Sequence, residues 1–218
     1  MQVRASAAVA VGVLAVTASI HAGPQRDDLP TARLALMVTT ATGLPSEARA
    51  AALREVGEIW KRQGIAVSVV ERASADTPPI VRVLVVAAAH RGSGTAAHQW
   101  PVAELLADAA GRPMAIASID AARRVLQAAS LDDGPRALVE YRLGLVLGRA
   151  IAHEIGHHLL NSNGHVGHGL MRARIDARDF ADLRVGGFEL AAAAAARARA
   201  RLRSTVEVPL VARLVPGH

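Results

Sequence analysis

The chain has 218 residues, 51% hydrophobic but only 2% aromatic, enough for one domain with a core of small and aliphatic side chains. The absence of cysteine excludes a disulfide scaffold and a thiolate metal site. The net charge of +6 comes almost wholly from arginines scattered through Ala-rich stretches with few aromatic stacking partners. That distribution describes solvated helix faces rather than a nucleic-acid surface.

Residues 1–22 read as an export signal: Arg4 opens it, Ala5 to Ile20 carries no charge, and Ala22 offers a small residue at a cleavage boundary. The apolar run is short for a span and lacks charges downstream, so cleavage is expected, with no stable membrane insertion afterwards. Residues 23–218 are then one exported domain, periplasmic or secreted, and no cysteine follows the signal to carry a lipid.

Leu34, Leu36 and Val38 alternate, which predicts a strand over 33–40. Ser46 is placed to cap a helix over 47–63, with Ala51, Val56, Ile59 and Trp60 near helical spacing and Gly64 as the stop. The β-branched residues of 65–71 predict a second strand. After a turn at Asp76–Pro79, the apolar run 80–89 reads as a central strand covered on both faces. Strand, helix, strand, strand is the beginning of an α/β sandwich with a right-handed crossover.

Residues 90–111 read as irregular, with a flexible Arg91-Gly92-Ser93-Gly94 and one helix over 102–110. No Gly-Lys-Ser/Thr follows the glycines, which excludes a phosphate loop. His90 and His98 read as ordinary loop or core residues. A short strand over 112–119 follows, then a helix to Ala129 capped by Asp120 and a turn at Leu131–Pro135. The long helix 136–160 is apolar almost all round, the mark of burial between layers. Gly144, Gly148 and Gly156 lower its propensity but admit a neighbouring backbone, and Arg142, Arg149 and Glu154 argue against a membrane span. Beyond it come a short helix over 176–183, a break at Gly186-Gly187, a long Ala/Arg helix over 188–203, and a Pro-bounded tail from Val206.

The chemistry is concentrated in the last turns of the long helix. His153 and His157 are four apart, so their imidazoles leave one helix face a turn apart and can reach a single metal ion. Glu154 lies about 100° further round, placed to reach the water that the metal activates without ligating the metal itself. This is the H-E-x-x-H arrangement, with the glutamate as general base. A catalytic zinc site takes a third protein ligand, so the chain must turn back. Asn161, Asn163 and Gly164 supply the stop, and His165 follows at once, with His168 as its rival. His158 faces away from the pair.

His153-Glu154-x-x-His157, Leu159-Leu160, a short polar turn, His165 and then Gly169-Leu170-Met171-Arg172 resemble the metzincin zinc peptidases. The likeness is closest to small exported bacterial proteins with an abbreviated metzincin-like domain. The standard pattern H-E-x-x-H-x-x-G-x-x-H is not met: Leu160 stands for its Gly, Asn163 for its third His, and His165 comes two positions late. The resemblance implies an α/β metzincin-like domain: a twisted mixed sheet, two long helices and a mostly helical C-terminal part. It implies Zn²⁺ held by His153, His157 and His165, Glu154 as catalytic base, and Met171 as a structural floor. It also implies a peptide or protein substrate paired on an antiparallel edge strand, here 112–119. Tyr141 is the only Tyr, so no Tyr follows the Met to assist the oxyanion, and catalysis rests on metal and Glu154. The competing reading is an exported zinc-binding or interaction module with little catalysis. Neither reading specifies an oligomeric state, and neither involves nucleic acid.

Overall fold

The computed structural model describes residues 32–41, 43–74, 77–88, 102–184 and 186–206. Residues 1–22, expected to be an export signal, together with Asp76, His90, the glycines of 91–94, His98 and the tail beyond Val206, lie outside them. The described chain runs β1 (Ala32–Thr40), α1 (Ser46–Arg62), β2 (Ile65–Val69), β3 (Ile80–Val86), β4 (Ala103–Ala107), β5 (Pro113–Ser118), α2 (Ile119–Ala128), α3 (Arg136–Leu160), α4 (Ala177–Ala181) and α5 (Ala192–Val206). The strands form one mixed sheet in the order β2-β1-β3-β5-β4, and this is an α/β protein.

β1 pairs in parallel with both β2 and β3, and β3 with β5. β5 is therefore an inner parallel strand, not the antiparallel edge expected of 112–119. That edge is β4, antiparallel to β5, in a stretch that reads as helix from composition. The helix over 102–110 is replaced by a hairpin whose turn Asp108 organises. Its carboxylate accepts from the backbone N–H of Ala110 and Arg112 and from the Arg112 side chain, and Arg82 of β3 lies 3.2 Å away. These charge-assisted bonds tie the hairpin to the sheet interior.

β3 is central, as its apolar run suggests, but it is not covered equally on both faces. Val81, Val83 and Val85 are buried, while the alternate residues are only half-buried. Two helix caps also differ from expectation. Pro45 rather than Ser46 precedes α1, and Ser118 rather than Asp120 caps α2 by accepting from the Ala121 N–H.

α1 and α3 pack backbone to backbone. A Cβ on Gly144 would collide with the Ala48 carbonyl and Ala51, and one on Gly148 with the Ala52 carbonyl and Glu55. No side chain of α3 separates the helices at those two turns. Beside them Arg149 is fully buried, its Nε donating to Glu55 at 2.8 Å. Its two terminal nitrogens donate to the carbonyls of Asp179, Phe180 and Arg184, and its guanidinium lies 4.6 Å from the Phe188 ring centre. One residue thus joins α1, α3 and the segment around α4. Among the described residues, no helix is long and apolar enough to cross a membrane.

Candidate metal centre

α3 ends because Asn161 adopts the left-handed conformation (φ 49°, ψ 47°), which short polar side chains tolerate. The N–H groups of Asn161 and Ser162 close the last turn on the carbonyls of His158 and His157. Of the three residues that the sequence offers as a stop, Asn161 is the one in the left-handed conformation. The returning chain is pinned at Val166, whose N–H donates to the Met171 carbonyl, and at Leu170, whose N–H donates to the Glu189 carbonyl.

That loop brings His165 back onto the helix. The ring nitrogens Nε2 of His153 and His157 are 3.0 Å apart, and those of His153 and His165 are 3.3 Å apart. Two nitrogens at about 2.0–2.1 Å from one tetrahedral ion lie roughly 3.3 Å from each other, so the spacing suits such an ion. The three side chains are close enough to bind a metal. His153 and His157 are half-buried and His165 is exposed. His168 is exposed and does not belong to the group.

The opposite nitrogens are engaged as well. The Nδ1–H of His153 donates to the Leu170 carbonyl and that of His157 to the Ser162 carbonyl, both at 2.7 Å. Since a carbonyl only accepts, these bonds fix the tautomer and leave both Nε2 lone pairs for a metal. Burial holds the His153 pKa below its usual value; the Leu170 carbonyl opposes this, and His157 and His165 add to it. A neutral imidazole is the form that ligates.

Met171 is buried against α3. Gly156, between the two helix ligands, is what admits it, because a Cβ there would run into the Met171 Sδ. Glu154 stands outside the ligand group. It is half-buried, and burial pushes its carboxyl up to about 7; the Leu105 N–H of β4 works against this, and the nearby Glu104 carboxylate works with it. His158 is turned to another neighbour. Its pKa is lowered by burial and then by the charge of Arg201 on α5.

Sequence reasoning thus named the three imidazoles but missed β4 beside Glu154. One signal for it was present: Asp108 followed by Gly111 ahead of Pro113 is a hairpin-turn pattern. The orienting carbonyls of Ser162 and Leu170 carry no sequence signal, because every residue has a carbonyl. No protein-family model matches the chain, and no curated protein matches it.

Proposed function

We propose that this protein is a zinc-dependent endopeptidase with a metzincin-like domain, exported by its first 22 residues and acting on peptides or proteins. The observation that carries the reading is the convergence of three imidazole Nε2 atoms, two of them with the far nitrogen tied to a backbone carbonyl. Three imidazole nitrogens are one of the donor sets of catalytic zinc sites, which keep a fourth position open. When bound there, zinc supplies Lewis-acid polarisation of a carbonyl and lowers the pKa of water towards about 7.

The protein's own part falls to Glu154 and β4. Glu154 takes the proton of the attacking water on its carboxylate and passes it to the nitrogen of the leaving amine. Among the described residues β4 is an edge strand, paired with β5 alone, and an extended substrate adds to its other side by β-augmentation. Ala103–Ala107 thereby takes the place that the family resemblance assigned to 112–119.

The test is metal analysis beside a broad peptide-library digest, on the natural sequence and on Glu154→Gln. Both proteins should carry close to one zinc per chain. Cleavage should fall at least about 10²–10⁴-fold in the variant, the usual worth of a general base. Equal cleavage by the two proteins refutes the mechanism. Zinc in both with cleavage in neither identifies a zinc-binding module instead.

A further inference from the structure

Two arginines on α3 lie seven residues apart, on one stripe of the helix and about 10 Å from each other along its axis. Arg149 has an acceptor for Nε and for both terminal nitrogens. Arg142 has none. Its Nε is buried with no hydrogen-bond partner, and among the described residues its guanidinium makes no ion pair. A buried N–H without an acceptor works against folding, so the hydrogen bonds that hold Arg149 in place give no account of Arg142.

Arg142 opens onto a cavity of about 570 Å³ between the end of α2, α3 and the α4 segment. That volume is within the range of small-molecule sites. Arg178 lines it from α4, exposed and likewise without a side-chain partner among the described residues. The two carboxylates on the rim are already engaged: Asp179 lies 3.5 Å from Arg172, and Asp182 accepts from the Arg184 N–H. Leu131 and Leu183 add apolar wall, and Leu183 is 46% exposed.

We propose that this cavity binds a carboxylate carried on a small apolar body, the size of an amino acid or dipeptide. Arg142 and Arg178 take the carboxylate, since the planar guanidinium fork matches it bidentately. Leu131 and Leu183 take the apolar body, which inorganic phosphate would leave unused. Arg142 is eleven residues from His153, roughly 16 Å along α3, so the site is separate from the metal centre and does not depend on the peptidase reading.

The experiment is calorimetric titration of the full chain with N-acetyl-leucine and with N-acetyl-leucinamide at fixed ionic strength. The acid should bind saturably, the amide at least tenfold more weakly. Arg142→Gln and Arg178→Gln should each weaken binding of the acid tenfold or more, and Arg142→Gln should melt no lower than the natural protein. Stripping metal with a chelator should leave the affinity unchanged. Equal affinity for acid and amide, unchanged binding in the two variants, or loss of binding on chelation would each overturn the proposal. Binding of inorganic phosphate with none of N-acetyl-leucine would overturn it too. Should Arg142→Gln fail to fold, Arg178→Gln decides, because that side chain is exposed.

Discussion

Replacing Glu55 by Ala should destabilise this protein far more than an ordinary ion-pair deletion. The Arg149 and Glu55 side chains are 0% and 6% exposed and meet at 2.8 Å. Removing the carboxylate leaves a guanidinium held in place by three carbonyls, which accept its hydrogen bonds but carry no compensating charge. Breaking a buried pair from one side costs about 3–5 kcal/mol. For a domain of this size each kcal/mol shifts Tm by about 2–4 °C, so the variant should melt roughly 6–20 °C lower. The control is Glu47→Ala, whose pair with Arg54 is as short (2.9 Å) but has side chains 46% and 55% exposed. Exposed pairs contribute about 0–1 kcal/mol, so that loss should stay under about 4 °C. Thermal melts by circular dichroism on metal-stripped protein at pH 7 make the comparison. Equal shifts in the two variants would show that pair length, not burial, governs the energy, and would refute the reasoning.

Gly156→Ala should drive Met171 off α3, at about 1–3 kcal/mol for overpacking, and weaken zinc binding because the neighbouring Leu170 carbonyl orients His153. A melt and a zinc titration check both effects, and an unchanged pair of values would remove Met171 from the account. His165→Ala should lower zinc affinity by orders of magnitude while His168→Ala changes it little, read by competition with a chromophoric chelator; the reverse order would put the third ligand at His168. Asp108 has a pKa lowered by its hydrogen bonds to the Arg112 backbone, so its folded value lies below its unfolded one. Its contribution is therefore complete above the usual carboxylate value of 3.8 and is lost as pH falls through the folded value. The Tm gap between the natural protein and Asp108→Asn should be flat near neutrality and close only below that pH; a gap that closes already at pH 6 would contradict the assignment.

The metal helix was legible because one spacing rule places His153 and His157 together whatever the rest of the chain does. The strand around Leu34–Val38 was legible because alternation is local, and β3 because its apolar run is nearly continuous, although that run does not reveal that in β3 only Val81, Val83 and Val85 are buried. Ala103–Ala107 was not, because Glu, Leu and Ala favour helix in isolation while pairing with β5 and the Asp108 turn impose strand. Arg149 and Glu55 are 94 residues apart, and no periodicity links them. The end of α3 at Leu160 was legible, but Asn161, Asn163 and Gly164 fit the stopping rule equally well, and only the folded chain selects Asn161.

The contact at Gly144 and Gly148 has a mechanical consequence. A helix interface padded with long side chains can give by rotamer changes, whereas two backbones that touch have no such joints. α1 and α3 therefore behave as one stiff beam, and His153, Glu154 and His157 are all mounted on it. His165 hangs from a loop instead. The three imidazoles therefore meet on two different supports, a helix locked to its neighbour and a loop held by the Val166 and Leu170 N–H groups.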